Sequence, residues 1–354
     1  MPTDASKRGW IVLTACALAL AGLAAALHPD AAQAAAGTGE AARAALGKRL
    51  FSDTGLSRDG KVSCASCHQA EHAFTDAKPV STGFEGKKGT RNAMSLLNVG
   101  SQTHFFWDGR RTRLEDQVLD PLVNPLEHGL ADQGQVLATL RANPAYRDAF
   151  YKAFPGVKPD PVQTEQLALA LASFVRTLIS PESAIDRFLI RKDTTALSAD
   201  ARAGYAVFTG KAQCINCHSL KPDPSIGRVL LTDHDFHAHS ASFYGMHQSL
   251  EQQARQILSQ GKALPDVARD DPQGVDGLGR FMVTGKMADV GAFKTPGLRN
   301  VARTAPYFHD GRVATLELAL EQELLGQGSE QIPLVPEEKR VLLAFLRALN
   351  DDDK

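Results

Sequence analysis

Apolar residues recur at helical spacing along most of this chain, and no run alternates as a half-buried strand would. Over 163–179, Leu167, Leu171, Phe174 and Leu178 fall on one face, the spacing of an amphipathic helix. Residues 336–349 begin with Pro336-Glu337-Glu338, a good first helical turn. They continue with Val341, Leu342, Phe345 and Leu349 on one stripe. Both stripes are read as helix packing in a core. The stretches 53–63, 78–92 and 219–235 are rich in Gly, Pro, Asp and Ser and are read as loops. Pro181 follows one helix and Ser198-Ala199-Asp200 starts another, which places a module boundary within 181–197.

Two stretches echo one another. The first runs from Gly47-Lys48-Arg49-Leu50-Phe51 to Cys64-Ala65-Ser66-Cys67-His68. The second runs from Gly204-Tyr205-Ala206-Val207-Phe208 to Cys214-Ile215-Asn216-Cys217-His218. Each reads as an amphipathic helix ending in Phe, then a loop, then C-x-x-C-H. Such repetition implies two similar modules, and a chain of 354 residues has room for both. The modules are expected at 37–185 and 186–354.

The first 36 residues read as an export segment. Lys7 and Arg8 precede an apolar run from Gly9 to Leu27, and Ala32-Gln33-Ala34-Ala35-Ala36 offers A-x-A cleavage sites. An uncleaved anchor is the rival, because the run approaches spanning length. Lipoprotein processing at Cys16 is a weaker third, since most of the apolar run follows that cysteine. Cleavage and delivery to a bacterial periplasm are expected. The net charge of −1, with no long block of one sign, gives no reason to expect a nucleic-acid partner.

Apart from Cys16, the cysteines are Cys64, Cys67, Cys214 and Cys217. In an exported protein four cysteines suggest disulfides, but each pair here is followed at once by a histidine. Two thiols at this spacing reach the two vinyl groups of one porphyrin, and the adjacent histidine ligates iron beneath it. C-x-x-C-H therefore reads as c-type haem attachment, with His68 and His218 as proximal ligands. A thioredoxin-like pair would need a βαβ context, and a zinc site would need the two distant pairs to converge.

Further motifs carry a resemblance. They are Leu50-Phe51-Ser52-Asp53, Ala73-Phe74-Thr75-Asp76, Arg91-Asn92-Ala93, Phe106-Trp107-Asp108-Gly109-Arg110 and Asn124-Pro125-Leu126-Glu127. In the second half come Gly279-Arg280-Phe281, Leu298-Arg299-Asn300 and Thr304-Ala305-Pro306-Tyr307-Phe308-His309. Together they resemble the bacterial di-haem cytochrome c peroxidase and MauG family over nearly the whole mature chain. The resemblance implies two all-α cytochrome c-like domains, each with one covalently bound c-type haem, and an active site at the first haem. It implies that Trp107 relays electrons between the haems and that Gln117 and Glu127 stand over the open face of the first. Glu127 is then the acid–base group. Asn92, Thr304 and Pro306 match residues that bind a calcium ion. A homodimer is implied at the same level.

The chain also departs from that family. Where many members carry a histidine that caps the resting first haem, this sequence has Phe84, which cannot ligate iron. The first haem is expected to be open at rest. His72 and His104 are read as structural or exposed. At the second haem, the position of the family's Met or Tyr ligand falls on Glu323, with Met282 and Met287 as alternatives and Met246 more remote. A thioether would give a high potential and an anionic oxygen a low one. His234, His237, His239 and His247 form a minor candidate metal cluster.

Three functions follow. The leading one is a peroxidase that reduces hydrogen peroxide with electrons from a small cytochrome c or cupredoxin. The second is a MauG-like oxidase that uses peroxide to modify residues of a partner protein. The third is a di-haem electron carrier without catalysis.

Overall fold

The computed structural model describes residues 29–238, 246–326 and 333–351. The export segment up to residue 28, Cys16 and His239 lie outside these. The chain is mostly α-helical, as expected. Its first half holds α1 (Pro29–Phe51), α2 (Cys64–Cys67), α3 (Leu114–Gln117), α4 (Asp120–Val123), α5 (Gln133–Ala142), α6 (Pro144–Ala153) and α7 (Thr164–Arg176). The second half holds α8 (Ala184–Leu189), α9 (Ala199–Thr209), α10 (His247–Ser259), α11 (Leu264–Asp270), α12 (Phe281–Thr284), α13 (Leu316–Gly326) and α14 (Pro336–Arg347). The two helices read from their stripes are α7 and α14.

Local chemistry starts several of these helices. The Asp132 carboxylate accepts from the Gln135 amide at 2.9 Å ahead of α5, and Ser198 Oγ from the Ala201 amide at 3.1 Å ahead of α9. Asn143 caps α6, where Pro144 takes the first position and needs no amide partner.

The repeat is built the same way twice. Gly47 of α1 lies against α7 so closely that a Cβ there would sit 1.9 Å from the Ala170 carbonyl oxygen. Gly204 of α9 lies against α14, where a Cβ would sit 1.9 Å from the Val341 oxygen. One turn on, Phe51 meets Phe174 edge to face at 5.0 Å, and Phe208 meets Phe345 at 5.1 Å. The same phenylalanines lie 6.5 Å from His68 and His218. Absent side chains at the crossings thus bring each helix pair close enough to seat a phenylalanine beside each histidine.

Buried apolar residues fall into three clusters, one from Leu46 to Val175, one from Ala184 to Leu349, and a third between Ala254 and Val290. Arg299 lies buried near the crossover between the first two. It pairs with Asp186 at 2.7 Å and donates to Ser180 Oγ and the Pro181 carbonyl. Ser180 also accepts from Asn98 at 2.7 Å.

The sequence showed no strand, but among the described residues there are four strands of two residues each: β1 (Pro222–Asp223), β2 (Arg228–Val229), β3 (Phe236–His237) and β4 (Phe293–Lys294). β1 pairs antiparallel with β2, and β3 with β4. They are too short to alternate visibly. The first pair closes the loop after the second C-x-x-C-H through Gly227 at φ +61°.

Gly204→Ala should destabilise the protein by about 1–3 kcal/mol through overpacking against a backbone that cannot move aside. Gly156→Ala, with nothing within 4 Å, should leave stability nearly unchanged. Thermal unfolding of the two variants checks the difference.

Candidate functional site

At the first C-x-x-C-H, Cys64 to Cys67 form the single turn α2. Ser63 and Ser66 close it with a reciprocal cap, in which the Ser63 amide donates to Ser66 Oγ at 3.0 Å. His68 Nδ1 lies 2.9 Å from the Phe74 carbonyl. A carbonyl can only accept, so Nδ1 carries the proton and the Nε2 lone pair is left for a ligand. At the second site His218 Nδ1 donates to the Leu231 carbonyl, again at 2.9 Å. Phe74 and Leu231, which present these carbonyls, both adopt left-handed backbone, at φ +59° and +54°. Burial holds both imidazoles below their usual pKa, and a neutral ring is the ligating form.

The thiols behave oppositely to a redox pair. Burial pushes Cys64 and Cys214 up to about 12, whereas a reactive dithiol has a lowered pKa. None of these four cysteines forms a disulfide.

The first cavity brings together His68, Gln117 and Glu127 on walls shared with Cys64 and Cys67. Glu127 sits in a tight turn. Its amide donates to the Asn124 carbonyl at 3.1 Å, and its Oε1 accepts from Asn124 Nδ2 at 2.6 Å. Burial pushes its carboxyl above the ordinary glutamate value, against the pull of the Arg110 charge and the Asn124 amide. His128, which the sequence reading passed over, lines the same cavity. It is buried, its Nδ1 donates to the Leu56 carbonyl at 2.8 Å, and its Nε2 lies 4.0 Å from Cys64 Sγ. Its place directly after Glu127 was the available signal. Phe84 is absent from this wall and is buried, 1% exposed.

The second cavity is the larger, about 730 Å³, and holds Cys214, Cys217, His218 and Glu323 on its walls. Met282 and Met287 do not reach it and pack against the third apolar cluster. Of the three ligand candidates, the structure brings only Glu323 together with His218. Tyr307 lines the cavity too, but its hydroxyl donates to the Val301 carbonyl at 3.0 Å. Trp107 stands on this wall rather than on that of the first cavity. Its indole N–H donates to the Asn92 carbonyl at 2.9 Å, and its own carbonyl accepts from the Lys294 amide at 2.8 Å. Asn92, Thr304 and Pro306 line the same space. Hydroxyl, amide and backbone oxygens of this kind suit a hard cation such as calcium. The Asn92 amide nitrogen donates to the Lys78 carbonyl at 2.9 Å, so Oδ1 is the side-chain atom that could face a cation.

The histidine cluster does not assemble among the described residues. His237 pairs with Asp233 at 2.8 Å, and His247 faces Glu251 across one turn of α10. Cys217, Asp233 and His237 are the one set of donor atoms that converges among the described residues. His72 and His104 both lie outside the two cavities.

These residues fit a covalently held haem. Each site offers two thiols on one turn, a neutral imidazole with its Nε2 left to bind, and an adjoining cavity. Lys294 is the independent sign. The residue is 2% exposed and lines the second cavity's wall. It donates to Gln102 and to the His104 carbonyl, both uncharged. Burial alone lowers its pKa to about 7. A ring that carries carboxylates would supply a counter-charge and hold the proton on this amine. The first cavity is narrow, about 60 Å³, so the fit there rests on its donor groups rather than on enclosed space.

A sequence profile of the di-haem cytochrome c peroxidase family matches residues 41–195. The methylamine utilization protein MauG of Methylorubrum extorquens is 34% identical over 317 residues, which cover 87% of this chain and 78% of that protein. Cytochrome c551 peroxidase of Nitrosomonas europaea is 34% identical over 313 residues, with coverage of 87% and 80%. Among solved structures, a MauG-like protein associated with microbial copper homeostasis superposes with TM-score 0.69 at 31% identity, covering 88% of this chain and 90% of that one. The diheme peroxidase BthA of Burkholderia thailandensis superposes with TM-score 0.67 at 25% identity, with coverage of 88% and 86%.

The geometry of the thiols makes a direct prediction. Denatured protein purified from an exporting host should resist alkylation at Cys64, Cys67, Cys214 and Cys217. Chain made without haem should label at all of them. Intact mass reads both outcomes, and labelling of the haem-loaded protein would exclude thioether attachment.

Proposed function

Because this chain belongs to the di-haem cytochrome c peroxidase family, a family of oxidoreductases, we propose that it is a periplasmic c-type peroxidase. It would reduce hydrogen peroxide to water at the first haem with electrons entering through the second. The observation that carries this reading is Glu127 and Gln117 facing the same cavity as His68. Two cytochrome c-like domains, one per haem, are part of the reading, supported by the twin helix crossings. Export is supported by Lys7, Arg8 and the apolar run that follows them.

Cys64, Cys67 and His68 would hold one haem, and Cys214, Cys217 and His218 the other. When bound, haem iron supplies the peroxide site and the redox equivalents that break the O–O bond. The overall change consumes one peroxide, two electrons and two protons and yields two waters. The chain's own work is to move protons. Glu127 as carboxylate takes the proton from one peroxide oxygen and returns it to the departing oxygen. The Gln117 amide orients the peroxide, and Asn124 holds the Glu127 carboxyl through Oε1. Trp107, tied to Asn92 and Lys294, is the relay candidate between the two sites. A calcium ion held by Asn92, Thr304 and Pro306 would brace that junction. The electron donor is a small cytochrome c or cupredoxin.

Glu323 favours a second reading. A carboxylate ligand on the second iron would lower its potential, which suits a MauG-like oxidase of a protein substrate better than rapid uptake of electrons from a donor. A pure electron carrier has no use for a buried carboxylate in the first cavity.

Glu127→Gln should lower kcat/KM for peroxide by about 10²-fold. In the wild type, activity that needs the carboxylate falls as pH drops through a midpoint above 4.5, because burial raises this group. That acid limb should vanish in the variant. Stopped-flow rates with reduced cytochrome c across pH read both, and unchanged turnover would remove Glu127 from the mechanism. Separately, Glu323→Met should raise the potential of one haem in a redox titration. No shift would mean that Glu323 does not bind iron.

A further inference from the structure

The turn that carries Glu127 has a brace that the mechanism above leaves unexplained. Phe84 is fully buried, and its backbone N–H donates to the Glu127 carbonyl at 2.8 Å. Its ring packs directly on Gly129, where a Cβ would come within 2.1 Å of it. Gly129 has φ +70°, so its backbone favours glycine as well. The preceding Gly83 is as close, since a Cβ there would sit 2.0 Å from the Leu126 carbonyl oxygen. On its outer side the ring is covered by the Lys87 ammonium, 4.0 Å from the centroid. The short turn Phe84–Gly86 is pinned in place by the Glu85 amide, which donates to Asp59 Oδ2 at 2.9 Å.

Segments 83–86 and 126–129 are thus locked by two glycine contacts, one backbone hydrogen bond and one aromatic ring, with Glu127 at the centre. The Asn124 hydrogen bond restrains the carboxyl from one side only. The turn also has backbone bonds of its own, from the Glu127 and Gly129 amides to the Asn124 carbonyl, and His128 is tied to Leu56; the ring adds the packing that seats Gly129 against segment 83–86.

We propose that Phe84 is a positioning residue for Glu127, a fixed latch whose ring and amide hold the 126–129 turn over the first cavity. This rests on the peroxidase reading of Glu127 only for its consequence in catalysis. The latch itself is a statement about backbone order.

The test uses the haem-loaded protein with Phe84→Ala, Phe84→Leu and Gly129→Ala. Amide hydrogen exchange gives a readout independent of catalysis. Phe84→Ala should speed exchange at 83–86 and 126–129 by at least about tenfold while helices α9 and α14 keep their protection. The same variant should lower kcat/KM for peroxide by about tenfold and move the acid limb of its pH profile downward, because a loosened Glu127 is better solvated. Phe84→Leu, which refills the space, should restore most of the rate and the midpoint. Gly129→Ala, which pushes the ring out, should mimic Phe84→Ala. Unchanged local exchange in Phe84→Ala overturns the latch. Faster exchange with an unmoved acid limb overturns the positioning role. If Glu127→Gln itself leaves the acid limb in place, the acid–base role of Glu127 fails, while the exchange result still decides the latch.

Discussion

Two backbone-to-backbone approaches carry this structure. At Gly47 and at Gly204 a helix presses on its partner with no side chain between them, and each contact leaves no room for a methyl group. Everything at the two sites is measured from these crossings. They set where Phe51 and Phe208 lie, and those rings stand at equal distances from the two histidines. The short turns that follow, with Phe74 and Leu231 in left-handed backbone, then fix which nitrogen of each imidazole carries its proton.

Against that apolar frame the buried charges divide into two kinds. Arg299 is matched by Asp186 and by carbonyl and hydroxyl oxygens, so it is a settled structural pair. Removing one partner of such a pair leaves a buried charge exposed to the low-dielectric interior and costs about 3–5 kcal/mol. Among the described residues no carboxylate pairs with Lys294, and burial alone accounts for its lowered pKa. With its pKa brought down to about 7, Lys294 readily gives up its proton near neutral pH, and an anionic group on the cavity side would hold that proton on. Trp107 and Lys294 share a backbone hydrogen bond, so whatever pairs with this lysine also touches the environment of the tryptophan.

The parts of the fold legible in the sequence are those specified locally. The helices α7 and α14 show in their stripes, and C-x-x-C-H shows because its chemistry demands a fixed spacing. Glu127, Gln117 and Trp107 became candidates only through surrounding motifs, since nothing in their immediate residues marks them. Lys294 could not be found, because its meaning lies in burial and in the absence of a counter-charge, neither of which a sequence displays. Glu323 could be separated from Met282 and Met287 only in three dimensions, where the methionines turn into another cluster. The repeat extends further than its haem motifs suggest. Phe106-Trp107-Asp108-Gly109-Arg110 corresponds to Phe308-His309-Asp310-Gly311-Arg312. The correspondence reaches the backbone, with Phe106 at φ +66° and Phe308 at +67°, and Asn98 at +60° and Asn300 at +59°. Divergence of the side chains hid it.

That longer repeat explains why the two sites differ in what they can do. After the shared motif, Leu114 and Leu316 stand at the same spacing and each starts a helix. In the second half the helix runs unbroken from Leu316 to Gly326, and Glu323 lies on the second cavity's wall. In the first half the position equivalent to Glu323 is Pro121. A proline cannot donate to the helix ladder and its ring clashes with the preceding turn. The helix accordingly stops at Gln117 and restarts as the single turn Asp120–Val123. The chain then folds back through Asn124 and brings Glu127 to the cavity wall. One proline in a duplicated scaffold therefore separates a site walled by a continuous helix from a site whose wall is closed by the Asn124–Glu127 turn.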